Sequence, residues 1–132
     1  MWFSKRTLRD IFEDFKESPN AETAEELYYE AEKREKIVKT VSEIYIQEGK
    51  RKIAKEMQDK FRNTLSAIGG FANMFLRGNA TAEFIIPIIE ESIGEYERIF
   101  EEFDENLKEH IEEIKRKLRI EHEILELERN LA

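Results

Sequence analysis

Apolar residues recur along this chain at helical spacing, and polar residues fill the gaps. Leu8, Ile11, Phe12 and Phe15 fall at i, i+3, i+4 and i+7, which predicts one amphipathic helix over residues 1–17. Lys5, Arg6, Arg9, Asp10, Glu13 and Asp14 occupy its other face. Glu17-Ser18-Pro19-Asn20 breaks the pattern. Ser18 or Asn20 is suited to cap a new helix, Pro19 suits a first helical position, and Thr23 with Glu26 has capping-box spacing. A second stripe then runs through Ala24, Leu27, Tyr28, Ala31, Ile37, Val38, Val41, Ile44 and Tyr45. It thins at Gln47 to Lys52, where Gly49 costs about 1 kcal/mol relative to Ala inside a helix and marks a kink or hinge.

The stripe resumes at Ile53, Met57, Phe61, Leu65, Ile68, Ala72 and Phe75, so one helix is expected over about 21–77. Gly78 stands where a left-handed C-cap belongs, residues 78–81 form a turn, and Thr81 caps the next helix, over about 82–130. So short a turn makes the two helices antiparallel neighbours. Pro87 is expected to bend the second helix by removing one backbone bond. Beyond it, Ile89, Ile93, Tyr96, Phe100, Phe103 and Leu107 keep a heptad seam. A stutter then leads to Ile111, Ile114, Leu118 and Leu125.

Composition supports an all-α chain. Of 132 residues, 39% are charged and 40% hydrophobic, with five Gly and two Pro, too few turn formers for a sheet protein. A long thin hairpin buries little core alone. The expected architecture is therefore a helical hairpin (21–132) that dimerises into a four-helix bundle, preceded by the amphipathic helix. That first stripe docks on its own bundle, on a partner or on a membrane surface, the last disfavoured by its acidic residues.

The net charge of −8 argues against nucleic acid as the main partner, although Lys50, Arg51, Lys52 and Lys55 form a basic cluster. That cluster is either a solvated face or a dock for an acidic partner. Absence of Cys excludes disulfides and thiolate sites and fits a cytoplasmic setting; dense Glu, Lys and Arg hint at heat adaptation. No apolar run reaches the ~20 residues that span a bilayer, and Met1-Trp2-Phe3 is too short for a secretory signal.

Candidate chemistry is sparse. His110 and His122 lie about 18 Å apart along a helix and cannot share a metal within one chain. No Glu-x-x-His pair, phosphate loop or nucleophile motif is present, so neither a metal nor a cofactor is expected.

One stretch is more specific. Asp59-Lys60-Phe61-Arg62-Asn63-Thr64-Leu65-Ser66-Ala67-Ile68-Gly69-Gly70-Phe71 resembles the H-box of sensor histidine kinases, with Met57 matching just upstream. Phe75-Leu76-Arg77-Gly78, the turn and the Glu-rich helix are similar to the rest of that family's dimerisation and phosphoacceptor domain, over about 36–110. The resemblance implies a dimer core of Met57, Phe61, Leu65, Ile68, Phe75, Ile89, Ile93, Tyr96, Phe100 and Phe103. It also implies that Asp59, Lys60, Arg62 and Asn63 face a response-regulator receiver domain or a kinase. On a helical wheel Asp59 lies about 200° from Met57 and from Phe61, which places it toward solvent.

The departures remove the family's chemistry. Asp59 stands for the phosphoacceptor His, Lys60 for the acidic residue after it, and Thr64 for the Pro that bends the helix. A carboxylate does not replace imidazole as a phosphoramidate acceptor, and the 132 residues hold no ATP-binding domain. The expectation is a non-enzymatic homodimeric module that modulates a two-component partner by binding. The alternatives are an adaptor coiled coil unrelated to phosphotransfer, or a phosphotransfer protein acting through His110.

Overall fold

The computed structural model describes residues 6–109, with side chains through residue 105. It contains four helices: α1 (Leu8–Glu17), α2 (Ala21–Gln47), α3 (Arg51–Leu76) and α4 (Ala82–Glu109). The seam residues from Ile111 onward, both histidines, Trp2 and Lys5 lie outside the described residues.

Each start has a local cause. Thr7 caps α1 in a capping box with Asp10. Asn20 caps α2, and Thr23 completes its box as the third helical residue; Pro19 therefore precedes the cap instead of opening the helix. Thr81 Oγ1 accepts from the Phe84 N–H at 3.2 Å, as its position before α4 predicts. Pro87 lies inside α4 without ending it.

The main correction concerns Gly49. The expected continuous helix over 21–77 is two helices. Gly49 adopts φ +81°, its N–H donates to the Ile46 carbonyl at 3.0 Å, and the Lys50 N–H donates to the Tyr45 carbonyl at 2.9 Å. This is a Schellman C-cap. The same motif closes α3, where Gly78 has φ +75°, its N–H donates to Phe75, and the Asn79 N–H donates to Met74 at 2.8 Å. The chain turns back at both glycines, so α2 packs along α3 and α3 along α4.

The helices close into a ring. α1 touches α2 and α4, and α3 touches α2 and α4. Lys16 reaches Glu90 at 2.8 Å while Arg9 reaches Glu97, so α1 runs antiparallel to α4. This is an up-down-up-down bundle made by one chain. Its fourth member is short: ten residues of α1 span about 15 Å, against roughly 40 Å for α2, α3 and α4.

The α1 stripe docks on its own bundle. Leu8, Ile11, Phe12 and Phe15 are all fully buried, and Phe15 meets Phe75 edge-on at 5.2 Å. Most residues assigned to a dimer core are likewise covered within the chain. Met57, Phe61, Leu65, Ile68, Ile89, Ile93, Tyr96 and Phe103 are buried; Phe75 and Phe100 are half-buried against the same core. Phe61 packs edge-on to Tyr96 at 5.7 Å and lies 6.2 Å from Phe103. These residues need no second copy to shield them from water.

Candidate functional site

The expected partner face lies on α3. Asp59, Arg62 and Asn63 are exposed there, as the helical wheel requires, because Met57, Phe61 and Leu65 point into the core. Lys60 behaves differently. Its Nζ donates to both carboxylate oxygens of Glu102 at 2.8 and 3.0 Å and lies 5.8 Å from the Phe103 ring centroid. The hydrogen bond to Glu102 holds the ammonium above its ordinary pKa. Lys60 therefore ties α3 to α4.

The remaining three spread across a ridge. Arg62 borders a shallow cleft of about 380 Å³ facing α2, beside Glu35, Lys36 and Lys39. Asn63 borders one of about 440 Å³ facing α4, beside Glu91 and Glu95. Asp59 is exposed on the same ridge. Thr64 is buried, and its hydroxyl donates to the Lys60 carbonyl at 3.0 Å. The helix thus continues where the kinase pattern has Pro.

A second site lies at the N-terminal end of α1. Thr7, Leu8 and Arg9 of α1, Arg34 of α2, and Tyr96, Glu97, Phe100 and Glu101 of α4 line a cavity of about 400 Å³. Arg34 is 1% exposed. Its Nη1 donates to the Glu30 side chain at 2.7 Å and to the Glu30 carbonyl at 3.1 Å. It also donates to the Tyr96 hydroxyl, which burial pushes up to about 12 against the opposing charge of Arg34. At the rim, Arg9 grips Glu97 through two bonds, 3.0 and 2.8 Å long, which raise the guanidinium's pKa.

Sequence reasoning missed Arg34, yet a signal was present. Leu27, Ala31, Arg34, Val38, Val41 and Tyr45 follow 4-3-4-3-4 spacing, so Arg34 holds a seam position otherwise given to apolar residues. Tyr96 was assigned to a dimer core and instead joins this buried pair.

Among the described residues no group of three or more His, Cys, Asp or Glu is placed to hold a metal ion, and no helix is long and apolar enough to cross a membrane. No family model matches the chain, and neither the curated proteins nor the solved structures contain a match to it.

Proposed function

We propose that this chain is a non-catalytic interaction module, related to the dimerisation domains of histidine kinases, which binds a cytoplasmic two-component partner and modulates it. Asp59, Arg62 and Asn63 supply the contacts, and the Lys60–Glu102 bridge fixes α4 behind them. The observation that carries the reading is the H-box-like segment held as an exposed ridge on a helix whose opposite face is fully buried. A rigid ridge flanked by two clefts loses little entropy on binding. Carboxylate, guanidinium and amide groups in one row offer specific hydrogen bonds to a receiver domain or a kinase.

One observation favours the adaptor alternative. α1 and α2 cover the surface that a second copy covers in a dimeric bundle, so the fold departs from the kinase arrangement at the point of dimerisation. Pull-downs against receiver and kinase domains of the same organism separate the two. The wild-type chain is expected to retain one of them, and the triple variant Asp59→Ala, Arg62→Ala, Asn63→Ala is expected to release it with its helical signal unchanged. Retention by the triple variant, or no capture by wild type, would move the assignment to the adaptor.

A further inference from the structure

The face of the bundle between α2 and α3 carries a basic stripe. Arg51, Lys55, Gln58 and Arg62 fall at i, i+4, i+7 and i+11, so they share one side of α3. Lys60, which grips Glu102 of α4, lies roughly 140–180° away around the helix, so the stripe borders α2 and not α4. Gln58 and Arg62 form one wall of the shallow cleft of about 380 Å³, and Lys36 and Lys39 stand on the other. Lys36, Lys39, Arg51, Lys55 and Arg62 are all exposed. Among the described residues none of these five has a carboxylate partner, whereas Arg9, Lys16, Lys60 and Arg98 each hold one. A basic run on a helix is ordinarily a solvated face laced with opposite charges. Here the first turn of α3 has no acidic residue, and its cations oppose the helix dipole. Arg51 and Lys55, one turn apart, also repel each other. Glu56 pairs with Lys60 on the other side of the helix. Glu32 accepts from the Tyr28 hydroxyl and Glu35 from Ser66, which leaves Glu43 as the carboxylate among the cations.

We propose that this face docks an acidic amphipathic helix of another protein. Carboxylates spaced one turn apart meet Arg51, Lys55 and Lys39, and an apolar side chain beside them covers Ile46. Ile46 is 40% exposed and follows Lys39 by seven residues, so it opens on the same face. The groove between two packed helices is preformed, so docking orders little of this chain. A nucleic acid or an anionic bilayer is a worse match. Each presents a continuous run of phosphates, which would meet Glu32, Glu35 and Glu43 as well as the cations, on a chain of net charge −8. A helix with discrete carboxylates avoids those contacts.

The probe is a helical peptide of about 15 residues, long enough to span the stripe, with Glu at i, i+4, i+7 and i+11 and one Leu. Its control carries Gln in place of each Glu. Titrated into the full chain at low ionic strength, the Glu peptide is expected to bind on the order of tenfold more tightly than the Gln peptide, and added salt to weaken it. In ¹⁵N-edited spectra the shifted backbone amides should fall within residues 36–46 and 51–62. The quadruple variant Lys36→Gln, Lys39→Gln, Arg51→Gln, Lys55→Gln keeps Asp59, Arg62 and Asn63, so it separates this face from the α3 ridge. It is expected to lose the preference for the Glu peptide with its helical signal unchanged. No binding of the Glu peptide, equal binding of both peptides, unaltered affinity in the quadruple variant, or shifts confined to α4 would overturn the proposal. So would tighter binding of a single-stranded oligonucleotide of matching length or of phosphatidylserine vesicles.

Discussion

Two glycines of this chain do opposite work. Gly49 has φ +81° and closes the C-cap of α2, a conformation that a Cβ destabilises. Gly70 lies inside α3, where an added Cβ would meet nothing within 4 Å. Gly49→Ala is therefore expected to cost about 1 kcal/mol, and Gly70→Ala to add roughly 0.5–1 kcal/mol, both measured by urea denaturation. Tyr96 makes a prediction in pH. Its phenol ionises near 10 when unfolded and is pushed up to about 12 in the fold. The folded state thus holds the proton more tightly, and its contribution is fully present below pH 10 and lost as pH climbs from 10 through 12. The loss amounts to roughly 2–3 kcal/mol. Tyr96→Phe should flatten that part of the alkaline stability profile and leave the neutral region without this slope. Arg34 shows the limit of reading residues by type. A charged residue in a helical run is ordinarily assigned to the solvent face, and only its place in the heptad register betrays its burial.

The elements were legible wherever a local signal was read in its own context. Thr81 and Gly78 mark the α3–α4 turn, and the structure places it there. Gly49 carries the same signal as Gly78, but apolar spacing continues on both sides of it, and that continuity favoured one helix over two. Periodicity cannot separate a kink from a full reversal; the left-handed cap decides it. The expected dimer rested on a long hairpin that leaves Met57, Phe61, Leu65 and Ile68 uncovered; α2 folds back along α3, and these residues are covered within the chain. α1 raises a related question, namely what holds it. Three basic residues tie this segment to its neighbours, through Arg6 with Glu26 of α2, and Arg9 with Glu97 and Lys16 with Glu90 of α4. These pairs are largely exposed, and exposed pairs contribute at most about 1 kcal/mol each. The stripe beneath is fully buried. Arg9→Ala should therefore cost less than about 1 kcal/mol, and Phe12→Ala about 3–5 kcal/mol, in thermal or chemical denaturation. Equal losses would mean that the ion pairs dock α1.

At the scale of the whole molecule, the ring of helices decides how the chain unfolds. A hydrophobic core completed by a partner ties folding to association, so its melting temperature rises with protein concentration. Here the aromatic cluster of Phe61, Tyr96 and Phe103 is enclosed by α2, α3 and α4 of one chain, and α1 seals the other end over Phe75. The melting temperature is accordingly expected to be the same across a wide range of concentrations. Leu65, 1% exposed on α3, tests the same point from inside. Leu65→Ala should lower stability by about 2–5 kcal/mol, again independently of concentration. A melting temperature that climbs with concentration in either protein would show that copies share the core. In that event the α3 ridge could meet a partner only as part of a larger bundle.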